Sequence, residues 1–123
     1  QEVLLGLADA HLKLGNYDLA INVLEALIRR QPTSTAYERL GYAQYKQHRF
    51  EASLASFRAA LAIDPDDTAA LNGLGVSLMT LYLQGGGVIT SQKEAALQAW
   101  RRSVQLRPDQ PRIVDLIARY QRL

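Results

Sequence analysis

The sequence predicts an all-α protein built from a row of helical hairpins, and three observations support this fold class. Apolar residues recur at the three- and four-residue spacing of amphipathic helices along most of the 123-residue chain. A proline follows each apolar segment that would end a hairpin, namely Pro32, Pro65 and Pro108. Leucines at equivalent positions are 33 and 34 residues apart, namely Leu7, Leu40 and Leu74. A period of this length indicates stacked two-helix repeats.

The first repeat occupies about residues 1–33. Its first helix is predicted from the spacing of Leu4, Leu7, Ala8 and His11. Gly15 and Asn16 then supply a helix stop, because both residue types favour the backbone that ends helices. The second helix carries its apolar stripe at Ala20, Leu24, Leu27 and Ile28.

The second and third repeats cover about residues 34–67 and 68–110. In the second repeat the two helices present Tyr37, Leu40, Gly41 and Gln44, then Ser53, Phe57, Ala60 and Leu61. In the third repeat they present Leu71, Leu74, Gly75 and Leu78, then Ala96, Trp100, Ser103 and Val104. Small residues stand where two helices must approach closely, and bulky apolar residues stand where the gap is filled. Gln44 is the clearest polar exception.

This spacing resembles the tetratricopeptide repeat, whose pattern is W-x2-L-G-x2-Y, then A-x3-F, then P over about 34 residues. The second copy carries the resemblance most fully, with Tyr37, Leu40-Gly41, Gln44, Ser53, Phe57 and Pro65. Three copies cover almost the whole chain. The resemblance implies a right-handed α-α superhelix, a single domain of residues 1–123, whose first helices line a concave wall.

A fourth segment, residues 111–123, resembles the half-repeat that closes such arrays. Pro111 occupies a favoured first-turn position, with Asp109 or Gln110 as the cap. Its apolar residues form a wider face than one neighbouring helix covers, namely Ile113, Val114, Leu116, Ile117 and Tyr120. Since the chain also begins with glutamine, we interpret it as a fragment of a longer protein with further repeats.

The third repeat is nine residues longer than the second, with an insertion near residues 84–92 that contains Gly85, Gly86 and Gly87. We expect a flexible connection there, followed by a capping box of Ser91 and Glu94 that restarts the helix. A phosphate-binding loop needs a Gly-Lys-Ser/Thr ending or a G-x-G-x-x-G frame, and neither is present. Val88 and Ile89 are two β-branched residues at the tip of the insertion. We expect them either to contact a partner or to fold back onto the array.

The sequence carries no recognisable catalytic or cofactor motif, so we expect a protein that is not an enzyme and holds no metal. Cysteine is absent, and neither histidine has a neighbouring ligand at metal spacing. The acidic run from Asp64 to Asp67 lacks the order of a calcium loop and is better explained as a turn with a helix cap. The compartment stays open, and the absence of a long apolar run predicts no membrane insertion.

Arginine pairs are interpreted as solvated helix surface rather than as a nucleic-acid site, because no aromatic platforms are interleaved with them. The pairs are Arg29-Arg30 and Arg101-Arg102. The net charge of +2 is small. Self-association through the terminal helices is also expected to be possible, because a short array leaves their apolar faces uncovered.

The concave wall is the predicted binding surface for a protein or peptide. Sequence spacing places on it Leu5, Asp9, Leu12, Lys13, Glu38, Tyr42, Tyr45, Lys46, Asn72, Val76, Met79 and Arg119, with Asp115 and Arg122 beside the last. Tyrosine and methionine suit a peptide groove with apolar anchors. The alternative is that the curvature packs some of these residues against the second helices.

The resemblance also implies what this wall does not bind. The chaperone-tail clamp of the family needs cationic or amide groups where this sequence has Leu5, Asp9, Glu38 and Gly73. Only Asn72 fits that clamp. We therefore expect a scaffold or assembly-factor module, with a chaperone for one hydrophobic client segment, or a regulatory domain appended to an enzyme, as the alternatives.

Overall fold

A computed structural model describes residues 2–122, and these residues form seven α-helices and no strand. In chain order the helices are α1 (Glu2–Lys13), α2 (Tyr17–Arg30), α3 (Ser34–Lys46), α4 (Phe50–Ile63), α5 (Thr68–Gln84), α6 (Thr90–Leu106) and α7 (Pro111–Tyr120). The pairs α1–α2, α3–α4 and α5–α6 form three hairpins that stack in sequence, and α7 packs against α6. The predicted all-α array of three hairpins and a C-terminal helix is confirmed.

The core is a row of apolar clusters that neighbouring helices share. Helices α1, α2 and α3 meet around the fully buried Leu24. Phe57 of α4 packs with α5 in the middle of the array, and Trp100 of α6 centres a cluster with α4 and α5 on which α7 packs. Each hairpin therefore buries its outward apolar face against the adjacent hairpin only. The stability of a repeat array comes from such contacts between nearest neighbours.

Glycines on the first helices admit the two aromatic side chains of the second helices. A Cβ atom at Gly41 or Gly73 would lie 2.9 or 2.3 Å from the Phe57 ring, and one at Gly75 would lie 2.1 Å from Trp100 Nε1. These separations are far shorter than van der Waals contact, so no larger residue fits without displacing a ring. The rings are 2% and 1% exposed.

All three hairpin turns end their first helix with the same cap. The second residue after the helix end has left-handed backbone in each turn, namely Gly15 (φ +76°), His48 (φ +62°) and Gly86 (φ +79°), and Gly87 of the third turn has φ +73° as well. The next amide donates to the carbonyl five residues earlier, as Asn16 to His11 at 2.8 Å, Arg49 to Gln44 at 2.9 Å and Gly87 to Tyr82 at 2.9 Å. This is the Schellman motif, and it confirms the predicted stop at Gly15 and Asn16.

The additional residues of the third repeat lie mostly in helices. Helices α5 and α6 have 17 residues each, whereas α3 and α4 have 13 and 14. The turn of residues 85–89 is only two residues longer than that of residues 47–49. The expectation of a long flexible connection is therefore wrong, because the glycines close a defined helix cap. Val88 and Ile89 are 75% and 54% exposed, so they do not fold back onto the array.

The helix starts confirm two of the predicted signals and contradict a third. Asp67 caps α5, because its Oδ1 accepts from the Ala70 amide at 3.1 Å, as expected for the acidic turn. Pro111 occupies the first turn of α7, with Gln110 at the N-cap. The predicted capping box of Ser91 is wrong, because the N-cap of α6 is Ile89, two residues earlier, and makes no side-chain cap. Across residues 2–122 we find no helix with the length and apolarity to cross a bilayer.

Candidate functional site

A groove runs along the inner side of the array, where the first helices of the repeats face α7. It consists of a larger cavity of about 560 Å³ between α3, α5 and α7 and a smaller one of about 460 Å³ between α1 and α3. The two cavities share the side chains of Glu38, Tyr42 and Ala69 as lining. They therefore form one continuous surface, which we call the concave groove.

The larger cavity is mainly apolar. The Phe57 ring reaches its floor from α4 because Gly73 leaves room above it. Val76 of α5 lies on one wall, and Ile113 and Leu116 of α7 lie on the opposite wall. A cavity with aromatic and aliphatic walls and a few polar groups at its margin suits a bulky apolar side chain of a ligand.

Two tyrosines of α3 contribute to this cavity in different ways. The Tyr45 hydroxyl is 3.0 Å from Thr80 Oγ1, and its ring packs edge-on against Phe50 at 5.1 Å between centroids. These contacts hold Tyr45 as part of the framework. Tyr42 is 41% exposed, and its only described side-chain contact of this kind is Lys46 Nζ, 5.8 Å from the ring centroid. Tyr42 is therefore the tyrosine that a partner can cover.

An ion-pair network lines the smaller cavity at the N-terminal end of the groove, and its Glu38 also lines the larger cavity. The Arg39 guanidinium lies 3.0 Å from Asp9 Oδ1 and also bonds Glu38 Oε1, so one cation of α3 serves two carboxylates. Burial raises the pKa of Glu38, although Arg39 opposes this shift. Burial also disfavours the charge of Arg39, but the carboxylates of Glu38 and Asp9 outweigh it and raise the pKa of Arg39. Glu38, in the lining that both cavities share, thus has a negative charge that Arg39 offsets only in part.

A second polar contact joins the groove to its closing helix. Asn72 Nδ2 donates to Gln110 Oε1 at 2.8 Å. Gln110 Nε2 donates in turn to the carbonyl oxygens of Ser103 and Arg107 at 3.1 and 2.8 Å, at the end of α6, where the Ser103 carbonyl also accepts from the Arg107 amide. Because Gln110 Nε2 donates to α6, Gln110 Oε1 is left to accept from Asn72 Nδ2. Asn72 Oδ1 is buried without a hydrogen-bond partner.

The structure brings nine of the twelve predicted residues to the concave groove. These are Asp9, Leu12, Lys13, Glu38, Tyr42, Tyr45, Lys46, Asn72 and Val76. Leu5 lies elsewhere, because it packs against the cluster of α1, α2 and α3. Met79 is only 3% exposed, in the cluster that α7 covers, so placing it on an open wall was wrong.

Helix α7 presents a different face from the one that sequence spacing placed inward. The groove-lining residues of α7 are Pro111, Arg112, Ile113 and Leu116. Arg119 is exposed and lies one turn beyond the last of them, so it does not line the groove. The residues expected beside it, Asp115 and Arg122, are also exposed outside the groove lining.

Sequence reasoning missed several groove residues for identifiable reasons. Phe57 was assigned to the seam alone, although Gly73, a glycine inside a helix, signals a close approach by another group. Arg39 was missed because its neighbours in the network come from two different helices. The apolar residues of α7 were recognised, but nothing in the repeat period fixes which of them face inward.

These features define the class of protein: an α-helical repeat array with an open inner groove. A family model described as Tetratricopeptide repeat matches residues 5–68 and, overlapping, residues 40–111. The chain belongs to the tetratricopeptide repeat family.

Two sequence relatives share part of this array. A stretch of 69 residues, 56% of the chain, is 38% identical to the peroxisomal targeting signal receptor of Eremothecium gossypii. The same length is 33% identical to the receptor of that name from Candida glabrata. The matched stretch covers 10% of each receptor.

Solved structures with this fold cover nearly the whole chain. The first tetratricopeptide domain of Spaghetti (RPAP3), bound to the HSP90 peptide SRMEEVD, is 18% identical with a TM-score of 0.86, covering 98% of this chain and 89% of that one. The crystal structure of MamA is 22% identical with a TM-score of 0.81, covering 97% of this chain and 65% of that one. At these identities the likeness shows the fold.

Proposed function

We propose that the protein is an interaction module of a scaffold or assembly factor, and that its concave groove binds a segment of another polypeptide. The observation that carries the proposal is the cavity of about 560 Å³ between α3, α5 and α7, whose walls are mainly apolar. Such a cavity suits one bulky anchor of an extended peptide or of a short helix. The peptide in the Spaghetti domain and the targeting-signal receptors among the relatives support a peptide as the ligand.

The carboxylates of the groove argue against an acidic residue of the ligand at one place. The groove lining has mixed charge, with cations at Lys13, Arg39, Lys46 and Arg112 and carboxylates at Asp9 and Glu38. Glu38 lies in the lining that both cavities share, where burial raises its pKa and the carboxylates of Asp67 and Asp9 add to this rise. An acidic side chain beside Glu38 would add a like charge there. The ligand we propose is therefore apolar at its anchor and neutral or basic where it meets Glu38.

The first experiment selects ligands from a random peptide library displayed on phage, with the immobilised chain as the target. We expect the selected peptides whose binding depends on Tyr42 to share a large apolar residue and to lack acidic runs. Synthetic SRMEEVD serves as the charged comparison and is expected to bind the groove much more weakly. Tyr42-dependent peptides that are acidic, or that carry no common apolar position, would contradict the proposal.

Two variants then locate the bound peptide. Tyr42→Ala removes the exposed ring of the groove and should weaken binding roughly tenfold or more. Leu19→Ala is the matched control, because Leu19 is 50% exposed on α2 and does not line the groove. Equal affinities of the two variants, measured by fluorescence anisotropy, would place the peptide elsewhere. Tyr45 is a poorer choice because its contacts with Thr80 and Phe50 support the fold.

A further inference from the structure

A second trough lies between α4 and α6, above one face of α5, and shares no lining residue with the concave groove. Its volume is about 600 Å³. The floor is apolar: Leu74 of α5 is its partly exposed residue, and Leu71 and Leu78, which are 7% and 4% exposed, lie beside it. The rim carries three arginines from the flanking helices, Arg58, Arg101 and Arg102. We call this surface the outer trough.

The preceding repeat provides an internal comparison for the floor. The position of Leu78 corresponds to Gln44, and the position of Ala99 corresponds to Ser56. Ser56 Oγ donates to Gln44 Oε1 at 2.6 Å, and both residues are buried, so the preceding repeat fills this place with a polar pair. In the outer trough both members of the pair are apolar. The change removes every side-chain hydrogen-bonding group of that pair.

The charged side chains of the rim also differ from those at the equivalent positions of the preceding repeats. The repeat position of Arg58 is Glu25 in the first hairpin, and the position of Arg102 is Ala59 in the second. A trough that would otherwise be flanked by one acid and one arginine is thus flanked by three arginines. Within residues 2–122, Arg58 and Arg101 form no ion pair.

The third arginine is also accessible to a ligand. Arg102 donates to Asp66 Oδ1 at 2.8 Å, but the two side chains are 51% and 59% exposed. Ion pairs this exposed contribute little, because water solvates both charges and the side chains lose entropy on pairing. A carboxylate of a ligand can therefore replace Asp66 at Arg102 without a large penalty.

We propose that the outer trough binds an acidic amphipathic segment of a partner polypeptide, distinct from any ligand of the concave groove. An apolar ridge of the segment would occupy the leucine floor, and carboxylates on both sides would pair with the three arginines. Charge complementarity and the apolar floor together favour this occupant. A nucleic-acid backbone would satisfy the arginines through its phosphates but would provide no apolar contact for Leu74.

The test uses a fluorescein-labelled synthetic peptide of about four helical turns, with leucines on one face and glutamates elsewhere. Binding to the whole chain is measured by anisotropy. The double variant Arg58→Glu with Arg101→Glu should weaken binding by about tenfold or more. The matched control is Arg29→Glu with Arg30→Glu, which changes the net charge equally at the exposed end of α2. The control should change affinity by less than about twofold.

Several outcomes would overturn the proposal. Equal losses in the two double variants would indicate attraction by net charge alone. Loss of binding in Tyr42→Ala would assign the peptide to the concave groove instead. Tighter binding of a single-stranded DNA of similar charge, lost in the Arg58 and Arg101 variant, would assign the trough to nucleic acid. A scrambled peptide of the same composition that binds equally well would exclude recognition of an apolar ridge.

Discussion

Replacing Gly75 by alanine should destabilise the array, although alanine is the better helix former. The added Cβ would lie 2.1 Å from Trp100 Nε1 and 2.4 Å from Trp100 Cδ1, where ordinary contacts begin at 3.4 Å. Trp100 is 1% exposed, so its ring has no free space to move into. Overpacking of this kind costs about 1–3 kcal/mol. Loss of the Trp100 Nε1 hydrogen bond to the Asn72 carbonyl, 3.3 Å long, adds about 1 kcal/mol.

The gain in helix propensity, about 1 kcal/mol, offsets only part of this loss. We therefore expect Gly75→Ala to lower the free energy of unfolding by roughly 1–3 kcal/mol. Gly6→Ala is the matched control, because Gly6 lies within α1 and a Cβ there meets no atom within 4 Å. This variant should gain up to about 1 kcal/mol.

Urea unfolding followed by far-ultraviolet circular dichroism measures both changes, and fluorescence of Trp100, the only tryptophan, reports on the third repeat. A Gly75→Ala protein as stable as the parent would refute the packing argument. A Gly6→Ala protein that loses stability would show that helix propensity does not govern exposed positions of this array.

Three further predictions test other features of the array. The pKa of Glu38 is raised in the folded state, so ionising Glu38 costs stability at pH values above its unfolded pKa. Glu38→Gln should therefore stabilise the protein against urea at pH 7. This advantage over the parent protein should disappear at pH below about 4, where Glu38 is protonated in both states. An equal advantage at both pH values would contradict this reasoning. Gly86→Ala should cost about 1–2 kcal/mol because Gly86 has φ +79°, whereas Gly85→Ala, at φ −80°, should shift the urea midpoint much less. Light scattering over a dilution series should show an apparent mass that rises with protein concentration. Leu14→Lys should reduce this rise, because Leu14 is 75% exposed on the uncovered first hairpin. A constant monomer mass would exclude self-association.

The repeat period predicts most of the fold because each hairpin buries its apolar face in the same way as the next one. It also predicts the groove positions of Tyr42 and Asn72, which follow from the same helical face in successive repeats. The errors occur where the repetition stops. Met79 is covered and Arg119 is displaced because the orientation of α7 depends on its own packing against α5 and α6. The predicted Ser91 cap was wrong because α6 begins at Thr90 with Ile89 as its N-cap, two residues before Ser91.

Helix α7 determines what kind of ligand the concave groove selects. Its apolar side chains cover the cluster that contains Met79, and its first two turns supply Ile113 and Leu116 as a wall of the larger cavity. Without that wall, α3 and α5 would present only a shallow apolar surface. The N-terminal end of the groove has no such wall and carries the charged network around Arg39 instead. We therefore propose that a ligand lies with its apolar anchor beside α7 and its polar part toward α1.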